Sequence, residues 1–152
     1  MESRSLIKVI QLYSHEDHNG IEKTARNILV NIYTQMDGYI EEHGRYLAEF
    51  LKDFRIEEDC HPSEDIKVAD GACCLAVQIL VHLQKWKGYI YLLPFDVDEC
   101  GQRYEYYITV DEDIMTIDMK VIDVLHNKSF FEGTPEQFLK KLWTMPRKHN
   151  LN

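Results

Sequence analysis

The chain has 152 residues, enough for one domain with a sizeable core, and an apolar fraction of 45% excludes global disorder. Seventeen basic residues against twenty-six acidic ones leave a net charge of −9. That balance excludes general binding to nucleic-acid backbones and suits a protein that presents acids to a basic partner.

No apolar run approaches a membrane span, because the stretch 75–83 is interrupted by Gln78 and His82. The opening Met-Glu-Ser-Arg-Ser lacks the layout of a secretory signal. Cys60, Cys73, Cys74 and Cys100 do not read as a disulfide framework, since two are adjacent in an apolar helical stretch, where free thiols pack as small hydrophobes. An intracellular, reducing location is expected, the host cytoplasm if the gene is viral.

Taken in order, residues 5–13 alternate with β-branched and aromatic content and predict a strand. Residues 14–20 form a polar loop. Asn19 as N-cap, Glu22 three residues on, and one face of Ile21, Ala25, Ile28, Leu29, Ile32 and Met36 predict a helix that Asp37-Gly38 stops. A second amphipathic helix is expected over about 42–54, with Leu47, Phe50, Leu51 and Phe54 inward. Residues 57–69 read as an irregular acidic linker. The helix expected at about 71–85 is apolar on most sides, so it belongs at the centre of the fold, with Leu75, Ile79 and Leu83 buried. Gly88 breaks it before a strand at 89–93 and an acidic loop at 94–101. Residues 103–110 and 114–124 predict an antiparallel hairpin turning at Asp111-Glu112-Asp113. A short strand holds Phe130 and Phe131. Thr134-Pro135-Glu136-Gln137 then gives an N-cap, a proline at the first helical position and a closing glutamine. The tail 146–152 is expected to fray. Together these predict a single α+β domain with a mixed or mainly antiparallel sheet and helices packed on one face.

Four constellations bear on chemistry. His15-Glu16-Asp17-His18-Asn19-Gly20 resembles the His-x-Asp-x-Asp-Gly loop of the DHH phosphoesterases, which holds a divalent metal between a strand and a helix. His15, Asp17 and Gly20 match and Asn19 replaces an acid, so His15, Asp17 and His18 are the metal-ligand alternative for a phosphodiesterase. No later Asp-His-His motif completes such a site. The cysteines and His61 lack the paired spacing of a zinc knuckle. The acids Asp96, Asp98 and Glu99, and Asp111, Glu112 and Asp113, crowd two polar loops. Finally Tyr89, Tyr91, Tyr104, Tyr106 and Tyr107 cluster near Phe95 and Arg103. Alternate strand residues share a face, so Tyr104 and Tyr106 lie together while Tyr107 points away. The binding surface is therefore sought at Asp96, Asp98, Glu99, Arg103, Tyr104, Tyr106 and Tyr107. No catalytic residue is assigned and no cofactor is implied.

The segments 46–53 (YLAEFLKD), 70–78 (DGACCLAVQ), 88–94 (GYIYLLP), 100–106 (CGQRYEY) and 133–139 (GTPEQFL) resemble small uncharacterised proteins encoded by phages and other DNA viruses. Small size, acidity, the missing catalytic motifs and this resemblance together point to a viral accessory protein, without catalysis, that binds and neutralises a host defence factor, either a protein or a small nucleotide signal. An immunity-type protein capping a basic toxin would share the same composition, and a homo-oligomer is compatible with either reading.

Overall fold

In the computed structural model of the chain, residues 3–35, 38–63 and 65–145 are described. Met36, Asp37 and the tail 146–152 lie outside them, so the helix stop and the frayed end do too. A six-stranded sheet has the order β5-β2-β1-β6-β7-β8. Its strands are β1 (Ser5–Glu16), β2 (Glu22–Thr34), β5 (Ile90–Leu92), β6 (Tyr104–Asp111), β7 (Thr116–Asp123) and β8 (Lys128–Gly133). The β1–β6 pair is parallel and the other four are antiparallel. A separate parallel pair, β3 (Arg55–Ile56) with β4 (Val68–Ala69), clasps the acidic linker at both ends. The helices α1 (Arg45–Leu51), α2 (Gly71–His82) and α3 (Pro135–Trp143) lie on one face of the sheet, giving the α+β fold that the sequence predicts.

The helix expected between Asn19 and Met36 is replaced by β2. Tertiary pairing outweighs a helical spacing here. A β-bulge explains why the spacing misleads: Val9 faces Val30 but Ile10 faces Ile28, so Leu29 is an extra residue in the ladder. The bulge sets Ile28, Leu29 and Ile32 at intervals that imitate one helix face. Without it, Ile28, Val30 and Ile32 read as simple alternation.

The core fills the space between the helices and alternate strand residues: Ile7 and Val9 of β1, Ile32 of β2, Tyr106, Ile108 and Val110 of β6, and Ile117, Met119 and Val121 of β7. Leu75 and Ile79 of α2, and Leu83 in the 3-10 turn that follows it, are fully buried against them. A side chain from the sheet starts α2: Glu112, in the β6–β7 turn, accepts the Ala72 N–H at 2.9 Å and the Gln11 amide at 2.9 Å. Gly71 is required at this junction, since its φ is +77° and a Cβ would sit 2.5 Å from the Glu112 carboxylate. A π-helical turn, Ile40–Gly44, leads into α1. The capping box of α3 forms as read, with Gln137 N–H on the Thr134 hydroxyl at 3.2 Å and Thr134 N–H on the Gln137 side chain at 2.9 Å.

Truncating Ile79 to alanine is expected to cost about 2–5 kcal/mol, measured by denaturant unfolding, because the close-packed site between α2 and the sheet leaves a cavity. A loss under about 1 kcal/mol would show that α2 does not support the core.

Candidate functional site

β5 lies at the sheet edge beside β2, and β6 lies on the far side of β1, so the connection between them must cross two strands. It does so over the face that carries no helix. Asn31 of β2 donates its amide to the carbonyls of Pro94 at 3.0 Å and Val97 at 2.8 Å. The ammonium of Lys8, on β1, pairs with Asp98. Gln102 donates to the Asp98 carbonyl and to Glu105, both at 2.9 Å, and accepts the Cys100 N–H at 2.8 Å. On this face Leu6 and Ile10 are buried although they point away from the helices, and Lys8, under the strap, is 3% exposed. A buried ammonium is costly unless paired, and Asp98 supplies the charge. Its own side chain is 81% exposed, so the pair has one dry end and one wet end.

The strap thereby holds its outer residues in fixed positions. Phe95 is 67% exposed and Asp96 and Glu99 are exposed beside it. Tyr89, Tyr91 and Leu92, at the adjoining edge, are also exposed, so apolar area accumulates between residues 89 and 95. The Tyr91 ring stacks on Tyr33 with centroids 6.2 Å apart. Glu99 accepts the Gly101 N–H at 3.0 Å, while Asp96 has no hydrogen bond or ion pair among the described residues.

The residues singled out from sequence do not form one surface. Asp96, Asp98 and Glu99 lie on the strap, and Tyr107 faces the same side, its phenol donating to Glu105 at 2.7 Å. Burial, then that bond, pushes the Tyr107 phenol up. Tyr106 is 1% exposed in the helix-side core and donates to the Gly38 carbonyl at 2.8 Å, so no partner reaches it. Tyr104 shares that face and is partly buried. Arg103 is committed within the fold: it bonds Asp123 at 3.1 and 3.3 Å and stacks over Tyr104 at 4.9 Å. Burial alone would raise the Asp123 carboxyl, but the bonds from Arg103 and His126 hold it well below the usual range. Sequence reasoning gave Phe95 no place in the binding set; its signal was an apolar side chain set between Pro94 and Asp96 in a polar loop.

The His15–Gly20 stretch is the end of β1 and a hairpin turn, not the strand-to-helix loop that the phosphoesterase likeness requires. Asp17 organises that turn: its carboxylate accepts the N–H of Asn19 at 2.9 Å and of Ile21 at 3.0 Å and pairs with Lys23 at 3.3 Å. Those bonds, Ile21 foremost, hold it below the ordinary carboxylate value. His15 lies on β1 beside Tyr13. Among the described residues no group of three or more histidine, cysteine, aspartate or glutamate side chains could hold a metal ion. All four cysteines are free, and Cys73 is exposed rather than packed in the core.

Two further concavities open on the surface. One, of about 480 Å³, opens beside the strap on the helix-free face, floored by Ile10, Leu12 and Ile122 and carrying Arg26 and Lys120 against Asp118 and Glu132. The other, of about 460 Å³, lies on the helix side between the end of α1, Pro62, Ser63, Ile66 and Lys67, and the outer stripe of α2. There Val77 and Val81 are exposed, so α2 lacks cover on one side. His82 is sandwiched between the Tyr46 and Phe50 rings, at 4.1 and 4.0 Å, and burial, aided by Lys85 and Lys67, lowers its pKa to about 4.

Among the described residues no helix is long and apolar enough to cross a membrane. Comparison with family models, with curated proteins and with solved structures gives no match.

Two titrations check this geometry. Asp98 is held below 3.8 by Lys8, so its contribution to stability is present above that value and is lost as pH falls through the depressed one. In an NMR titration the Asp98 midpoint should lie below 3.8 and move up in Lys8→Met; an unmoved midpoint would break the pair. His82 is neutral in the fold, so stability should fall as pH drops from 6.5 to about 4. His82→Phe keeps the ring stack and should flatten that part of the stability profile, read by thermal melts.

Proposed function

We propose that this chain is a small, acidic, non-catalytic binding protein, a viral accessory protein that captures and neutralises a host defence factor. The observation that carries the reading is the strapped loop 94–102. Four side-chain bonds tie it to the sheet, from Asn31 to the Pro94 and Val97 carbonyls, from Lys8 to Asp98 and from Gln102 to Glu105, yet it leaves Phe95, Asp96 and Glu99 exposed to solvent. A protein gains no stability from holding an aromatic ring in water, whereas a partner gains much by burying a ring that is already positioned.

The chemistry selects a protein with a basic rim around an apolar pocket. Asp96 and Glu99 speed encounter, and Phe95 sets residence time. A basic toxin capped by an immunity-type protein would offer the same complement. For a nucleotide signal, the cation proposed from sequence, Arg103, is already paired with Asp123, and the acidic strap repels phosphate. The protein partner is therefore the version we adopt. Host cytoplasm is the location that fits it.

The test begins with recovery of partners from host lysate by the tagged protein. Phe95→Ala should weaken binding to the recovered partner by more than about 1 kcal/mol while leaving the melting temperature unchanged. Asp96→Asn with Glu99→Gln should slow association at low salt and leave dissociation nearly untouched. If neither substitution alters binding, the strap is not the interface.

A further inference from the structure

The chain carries on its other side a surface of the kind that its strap would bind. The helix-side concavity is floored by Phe54, Ile66, Val77 and Val81. Val81 and His82 also line a neighbouring trough that carries Lys85 and Lys87. Lys67 stands at the wall of the concavity, donating to the Glu49 and Lys52 carbonyls at the end of α1, both at 3.2 Å. Among the described residues no acidic side chain lines either part, in a protein with twenty-six acids and a net charge of −9. Lys85 rests its ammonium on the Tyr46 and Trp86 rings, at 4.1 and 4.5 Å, which fixes a cation at the mouth.

We propose that this protein self-associates head to tail, with the Phe95 loop of one copy seated in the lysine-rimmed groove of the next. The inference rests on the reading of Phe95 as an anchor. Charge and polarity match on both sides: an aromatic ring with Asp96 and Glu99 beside it meets an apolar trough with Lys67, Lys85 and Lys87 around it. A copy cannot satisfy its own groove. The strap crosses the helix-free face over Lys8 and Asn31, whereas the groove lies on the outer side of α2, beyond the opposite face. The contact therefore joins two different surfaces, and each added copy leaves one loop and one groove open, so the assembly lengthens with concentration.

Sedimentation equilibrium of the full chain at low salt reads the prediction. The weight-average mass should rise from 18.0 kDa past twice that value as concentration increases, and the rise should vanish at about 0.5 M salt, where charge attraction is screened. Phe95→Glu and Val81→Glu change exposed side chains, and each alone should stay at the monomer mass. Mixed together they should form a one-to-one complex and stop there, because one retains the groove and the other the loop. Val77→Glu serves in place of Val81→Glu if that variant melts early. The idea is overturned by a wild type that stays monomeric, by a plateau at two copies, by either variant associating like the wild type, or by a mixture that stays monomeric. Partner capture separates the two readings. Val81→Glu leaves the loop intact and should retain the partner; a partner lost by Phe95→Ala alongside a monomeric wild type overturns only the self-association.

Discussion

The fold depends on a central strand that is buried from both sides. Five consecutive residues of β1, from Leu6 to Ile10, are each 3% exposed or less, although successive side chains point to opposite faces. Helices bury Ile7 and Val9. The other face has no helix, and Lys8 would stand in water without the strap. A sheet covered on one face normally shows polar residues on the other. Here three of the five residues need a second cover, and the buried ammonium of Lys8 gives that cover an address. An apolar residue at position 8 would accept many coverings, but a lysine requires a carboxylate at one place, and Asp98 meets it.

The route of the chain supplies the cover. Because β5 pairs with the outer side of β2 while β6 pairs with the inner side of β1, the loop joining them spans the strands it must shield. One segment thus closes the second face, carries the acids and exposes Phe95. Binding residues are frequently borne by loops held on a rigid scaffold, and in this case the hydrogen bonds that hold the loop also complete the scaffold.

Local signals were read correctly where the determinants were local. The Thr134–Gln137 box, the apolar α2 and the β6–β7 hairpin each carry their cause within a few residues, and each appears where the sequence placed it. β2 did not, because its bulge at Leu29 follows from pairing with β1, a partner that a single segment does not reveal. The tyrosines show the same limit. Alternation placed Tyr104 and Tyr106 together, but only the position of the helices decides that this is the inner face, which removes Tyr106 from any interface. Arg103 looked free until the fold brought Asp123 beside it, twenty residues away. The acids 96, 98 and 99 were legible as a charged loop. That Asp98 is paired depends on Lys8, ninety residues earlier in the chain.

β1 also ties the two outward-looking surfaces into one frame. Through Lys8 it holds the strap, and through Gln11 it reaches Glu112, whose other oxygen accepts the first free N–H of α2. The outer stripe of α2, Val77 and Val81, lines the groove, so the loop and the groove are both referred to the same strand. Neither has to be ordered when it is occupied, which lowers the entropic cost of binding at each. Their separation follows from the same geometry. The strap lies on one face of the sheet and α2 on the other, so an occupant of the groove leaves Phe95 exposed, and a partner on Phe95 leaves the groove open. A structure built in this way keeps its acidic strap and its lysine-rimmed groove from neutralising each other within one molecule.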